Sequence, residues 1–173
     1  IGYAPQNGLK EHLKNHGFND EFMIKAGLLR FDKKNNLNEI FRNRLIFPIF
    51  DKKHYPVAFG ARAMFASKAK YLNSPNSMLF QKSETLFGIS HFNKDKFNSK
   101  PLLIVEGYMD VISIFQSRLA NALAPLGTAI SENQIQRIWN LNSKPLVCLD
   151  GDKAGEIAAW RLINKILPIL RIG

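Results

Sequence analysis

Two acidic stretches hold residue types at a spacing that could do chemistry, Glu106-Gly107-Tyr108-Met109-Asp110 and Asp150-Gly151-Asp152. Each follows an apolar, β-prone run, residues 101–105 and 144–149, and each precedes a stretch of helical character. Strands of an open parallel sheet end in one crevice, where such folds hold their ligands. Carboxylates collected there repel one another unless cations lie among them, and hard oxygen donors suit Mg²⁺ shared with substrate phosphates. Residue types alone therefore predict a Mg²⁺-dependent phosphoryl-transfer site. Asp150 and Asp152, two apart on a turn, can face one cation, while Glu106 on another strand can complete the site or move a proton. The glycine after each acid reads as a tight reversal needing backbone angles that a side chain forbids. Asp-Gly alone is a common turn and Glu-Gly a common strand exit; the pair at two strand ends carries the inference.

The elements that must position these acids follow a regular pattern from Lys100 onward. Strand 101–106 leads to a helix over 108–118, a short strand and turn over 121–127, and a helix from Ser131 to about 140. Ser131 and Gln134 have capping-box spacing. Strand 145–150 precedes a helix over 153–167, whose Ala154, Ala158, Leu162 and Ile166 recur every four residues and predict its buried face. Cys148, in an apolar run, reads as a core residue. Alternating strand and helix implies an α/β domain with a parallel sheet and right-handed crossovers.

The first half is mixed α+β. Helices are predicted over 8–17 and 20–27, with Asn19 as N-cap. A loop or hairpin follows at 31–38, and a hairpin pairs 44–51 with 57–62, where Pro48 suits an edge or a strand start. Phe80, Leu86, Phe87 and Ile89 read as core, and the polar stretch 93–100 as the boundary between domains 1–99 and 100–173. His12 and His16, at i, i+4 spacing, have no further ligands nearby and read as an exposed helix face.

Charge is unevenly divided over the 173 residues, whose net charge is +10. Residues 1–99 hold 16 Lys/Arg against 8 Asp/Glu; residues 100–173 hold 8 against 6. That split suggests a polyanion held by one half and processed by the other. Arg44 and Arg62 flank the hairpin, and Lys70, Tyr71 and Asn73 combine a cation, a ring and an amide that can contact phosphates and stack on a base. Ordinary surface solvation is the competing reading. A single cysteine excludes an internal disulfide framework, and no Cys/His cluster has zinc spacing. No apolar stretch approaches the roughly 20 residues that span a bilayer. A cytosolic setting is the default expectation, and Ile1 in place of Met suggests a fragment.

The motif Glu106-Gly-Tyr-Met-Asp110, followed by Asp150-Gly-Asp152-Lys-Ala-Gly155, resembles the Toprim domain shared by primases, some topoisomerases and certain nucleases. Ala158-Ala-Trp-Arg161 brings it nearer to bacterial DNA primase. Ile1-Gly-Tyr-Ala-Pro5, Phe41-Arg-Asn-Arg44, Phe47-Pro-Ile49, Phe59-Gly-Ala-Arg62, Lys70-Tyr-Leu-Asn-Ser-Pro75 and Leu86-Phe-Gly88 resemble that family's N-terminal core subdomain. The resemblance implies a nucleotidyltransferase that makes short RNA primers on single-stranded DNA from ribonucleoside triphosphates. It implies Glu106 as metal ligand and acid/base residue, Asp150 and Asp152 as ligands of Mg²⁺ or Mn²⁺, and Asp110 as support. It also implies template or nucleotide contacts at Arg44, Arg62, Lys70, Tyr71, Asn73 and Lys82. In that family zinc belongs to a separate N-terminal domain, and a C-terminal domain meets the replicative helicase; neither falls within these residues.

This sequence departs from the family at Gly60-Ala61, where a glycine pair is usual, and at Gln81-Lys82-Ser83-Glu84, where Glu84 adds negative charge beside Lys82. The family's third acidic motif lies downstream of Gly173. Two rival readings are a topoisomerase or nuclease of the Toprim group, and a non-catalytic nucleic-acid-binding module. The first lacks support from the primase-like first half; the second has no need of Glu106, Asp150 and Asp152 together.

Overall fold

A computed structural model of the chain describes residues 1–92, 100–127 and 129–170. The expected boundary stretch, apart from Lys100, and the last three residues lie outside them. Two compact units form, Ile1–Ile49 with Tyr55–Gln81, and Phe50–His54 with Lys82–Gly173.

In the first unit, β1 (Gly2–Ala4), β4 (Arg44–Phe50), β5 (Pro56–Ala63) and β6 (Tyr71–Asn73) make a four-stranded sheet in the order β1-β4-β5-β6. A hairpin of β2 (Leu29–Phe31) and β3 (Leu37–Glu39) and two short helices, α1 (Leu9–Asn15) and α2 (Asp20–Lys25), complete it. The Asn19 side chain caps α2 by accepting the Phe22 N–H at 2.8 Å, as its residue type predicts. Pro48 sits past Ile46, where the pairing of β4 with β1 stops, so its missing N–H removes no bond on that flank. Ile40, Phe41 and Ala61 form one cluster of its core, with Ala4, Leu28, Ile46, Phe59 and Leu72 packed on it, and Met23, Leu29, Phe47, Ile49 and Phe80 are buried as well.

The second unit is the α/β domain that the alternating pattern predicts. Strands β8 (Leu102–Ile104), β9 (Asn121–Pro125) and β10 (Leu146–Val147) are parallel, with β8 between the other two. An antiparallel edge strand, β7 (Leu86–Phe87), pairs with Pro125 and Ala124. Alternation along β8 supplies both faces. Leu102 and Ile104 meet Ile138 and Leu141 of α4 (Glu132–Leu141), while Val105 and Leu103 lie with Val111, Ile114 and Phe115 of α3 (Tyr108–Ser117). Helix α5 (Lys153–Ile166) follows β10.

Three expectations are corrected. Cys148 is exposed, not in the core. Its N–H continues the ladder to the Ile104 carbonyl at 2.9 Å, but β10 is an edge strand, and Leu146 and Val147 are 55% and 47% exposed beside it. An apolar run is buried only where another layer covers it. Along α5, Leu162 is buried and Ala158 and Ile166 are half-buried, but Ala154 is exposed, and the residue the first turn buries is its neighbour Gly155. Finally, neither Gly107 nor Gly151 has a positive φ. The sterically obligatory glycine is Gly155, where an added Cβ would lie 2.0 Å from the Asp150 carbonyl oxygen.

Candidate functional site

The acids occupy the carboxyl ends of neighbouring strands. Glu106 follows β8 and Asp150 follows β10, and the two are joined directly: the Glu106 carboxylate accepts the Asp150 backbone N–H at 3.0 Å. Asp110 and Asp152 lie on the helices that leave those strands. Gly107 is the N-cap of α3, and Asp110, at the third helical position, accepts its N–H at 3.0 Å. Asp152 is the N-cap of α5 and accepts the Gly155 N–H at 2.8 Å. Both carboxylates therefore sit in the first turn or at the cap of a helix, where they accept backbone N–H groups that the helix itself leaves unpaired.

Glu106 is half-buried, and Asp110, Asp150 and Asp152 are exposed. Among the described residues none of the four is in an ion pair. Nor, among them, are three His, Cys, Asp or Glu side chains gathered as a metal cage. Glu106, Asp110 and Asp152 each hold a backbone N–H with one carboxylate oxygen. The donor set still fits a hard divalent cation, since it is all oxygen, open to water and, among the described residues, in no ion pair with a Lys or Arg. A groove of about 680 Å³ runs along Asp150, Gly151 and Asp152, with Ile163 and Ile166 in its far wall. A smaller cavity of about 140 Å³ is lined by Glu106, Leu149, Arg161 and Lys165.

The cationic residues divide between the units. In the first, the β5–β6 register sets Arg62 opposite Tyr71 and Gly60 opposite Asn73. Opposed residues of an antiparallel pair share a face, and alternate residues of a strand return to it. Arg62, Tyr71 and Asn73 thus lie on one face of the sheet's edge, with Tyr71 45% exposed. The intervening Ala61 is fully buried and belongs, with Leu72, to the core on the other face. Exposed Lys70 enters β6 from a loop whose shape depends on Arg44.

Arg44 is 8% exposed. Its guanidinium donates to the Ala69 carbonyl at 3.0 Å, to Ser67 Oγ at 3.2 Å and, weakly, to the Lys70 carbonyl at 3.5 Å. Burial pushes it down from its ordinary pKa, yet a guanidinium stays charged in a protein. Its described contacts make it a brace for the 67–70 loop.

Lys82 lies in the second unit, half-buried, in a turn fastened to the start of α4. The neighbouring Glu84, a charge of the wrong sign for a polyanion site, is paired with Arg137 at 3.1 Å. Sequence reading missed Gly155, whose role depends on a close approach no spacing reveals. It also missed Arg44 as a brace, because a cation between β-prone residues looks like surface.

Family models match both halves. Residues 1–93 match the DNA primase catalytic core, N-terminal domain, and residues 100–172 match the Toprim domain. The chain belongs to the DNA primase catalytic-core family. It is 40% identical over 176 residues to the DNA primase of Haemophilus influenzae and 39% over 183 residues to that of Pseudomonas aeruginosa. All of this chain aligns in both, spanning 30% and 26% of those proteins. Among solved structures, a DNA primase domain from Pseudomonas aeruginosa superposes with a TM-score of 0.87 at 40% identity, over 99% of this chain and 54% of that one. A DnaG primase catalytic domain bound to single-stranded DNA gives 0.83 at 37% identity, over 99% and 54%. Primase relatives over the whole length set aside the topoisomerase and nuclease readings.

Proposed function

We propose that this chain is the catalytic-core portion of a DNA-directed RNA polymerase that makes short RNA primers on single-stranded DNA. The observation that carries the reading is the Glu106–Asp150 bond, which places two family-motif acids at adjacent parallel strand ends. Its support from relatives is the DNA-bound primase domain of the same fold.

Glu106, Asp150 and Asp152 would hold Mg²⁺, with Mn²⁺ able to substitute, and Asp110 would support them. A cation held there would lower the pKa of the primer 3′-hydroxyl and offset charge on the triphosphate. Glu106 accepts the hydroxyl proton, and its bond to Asp150 fixes the carboxylate for that transfer. Arg62, Lys70, Tyr71 and Asn73 bind the template or nucleotide through phosphate contacts and ring stacking. Lys82 adds a phosphate contact, and Arg44 acts on the same interface through the loop it braces. The described helices include none long and apolar enough to cross a membrane, and we place the reaction in the bacterial cytoplasm at the replication fork. Zinc and the replicative helicase belong, in this reading, to other domains.

The deciding measurement is primer synthesis on single-stranded DNA by the longer protein carrying these residues, with and without Glu106→Gln. Loss of about 100-fold or more is expected; unaltered synthesis by a folded variant overturns the assignment.

A further inference from the structure

Gln134 is 1% exposed, and its carboxamide is fully engaged. Oε1 accepts the Ser131 N–H at 2.9 Å, closing the capping box of α4. Nε2 donates to two carbonyls outside the helix, Lys82 at 2.9 Å and Thr85 at 2.8 Å. The Ser131 hydroxyl donates to the Ser83 carbonyl, and Arg137 pairs with Glu84. Four consecutive residues, 82–85, are thus tied to one helix start. The segment has no ladder of its own; it is a turn leading into β7. A capping box needs only the Ser131–Gln134 exchange. The two further Nε2 bonds serve the loop that carries Lys82.

We propose that Gln134 is a positioning residue for Lys82: by holding the carbonyls on either side of the turn, it presets that cation for the phosphodiester backbone of single-stranded DNA. The inference rests on the reading of Lys82 as a DNA contact. A preset loop spares binding the ordering of a flexible one, so affinity depends on the clamp although Gln134 itself touches no DNA. Glu84, in the same turn, pairs with Arg137 of α4.

The test is a double-mutant cycle on the chain, read as affinity for a single-stranded oligodeoxynucleotide and as its salt dependence. Gln134→Glu keeps the shape and the acceptor but loses both donors and sets a carboxylate oxygen against two carbonyls. Gln134→Glu and Lys82→Ala are each expected to weaken binding by about tenfold and to lower the salt slope by about one, with the double variant no weaker than Lys82→Ala alone. Additive losses, or parent-like binding by Gln134→Glu while Lys82→Ala binds weakly, overturn the positioning role. Parent-like binding by Lys82→Ala overturns it at its base, because there is then no contact to position. Circular dichroism checks the fold. If Gln134→Glu does not fold, Gln134→Met, which removes both donors without adding a charge, takes its place in the cycle with the same criteria.

Discussion

The Glu106 carboxylate holds the main chain of Asp150: its Oε1 accepts that residue's N–H at 3.0 Å, across two parallel strands. One side chain therefore both carries charge into the crevice and fixes where the second acidic stretch begins. These roles separate by substitution. Glu106→Gln retains an acceptor and should unfold at nearly the parent temperature. Glu106→Ala leaves the Asp150 N–H without its partner and should lose about 1 kcal/mol. Both should lose Mg²⁺ binding, measured by calorimetry; Mg²⁺ affinity retained by Glu106→Gln would remove Glu106 from the ligand set.

Gly155 lies so close to Asp150 that a methyl group has no room, with carbonyl oxygen, carbon and nitrogen of Asp150 at 2.0, 2.9 and 3.1 Å from an added Cβ. Backbone atoms cannot rotate aside as a side chain would. Gly155→Ala should cost about 3 kcal/mol and weaken divalent-cation binding by displacing the Asp150-Gly151-Asp152 turn. Urea unfolding with parallel calorimetry reads both; an unchanged midpoint would show that the turn yields freely.

Arg44 and Arg62 should separate in opposite directions. Arg44→Met leaves the Ala69 carbonyl and Ser67 Oγ without their buried donor, and should lower stability by about 2 kcal/mol. Arg62 lies on the open face beside Tyr71, so Arg62→Ala should leave stability nearly unchanged while reducing the salt slope of single-stranded DNA binding by about one. A fall of about one in the salt slope for a stably folded Arg44→Met protein would instead make Arg44 a direct contact.

Local signals in the sequence were the readable ones. Asn19 and Ser131 announce their caps by type and spacing, and the two acidic stretches announce strand ends because apolar runs stop at them. What escaped depends on distant partners. Arg44 looks like surface until Ala69 and Ser67 fold over it. Cys148 looks like core because an edge strand and a central strand share composition. Gly107 and Gly151 drew attention for following acids, yet the crowded glycine is Gly155, set by where the chain doubles back. The approach of Glu106 to Asp150 follows from their places at strand ends, but that three of the acids would hold backbone N–H groups was not legible.

Acid should loosen the β2–β3 hairpin through Asp32. Hydrogen bonds hold its carboxyl below the ordinary 3.8, the Asn36 N–H foremost, with Lys34 N–H and the Asn36 and Asn38 amides adding to it. A folded-state pKa below the unfolded one means the carboxylate's contribution is complete above the unfolded value and is lost as pH falls through the lower, folded one. Asp32→Asn removes that titration, so its stability relative to the parent should improve as pH drops from about 5 to about 2. Urea midpoints across that range measure the difference. A parallel fall in parent and variant would place the acid sensitivity elsewhere, with Asp20 next, because Lys14 and Lys10 hold its carboxyl low in the same direction.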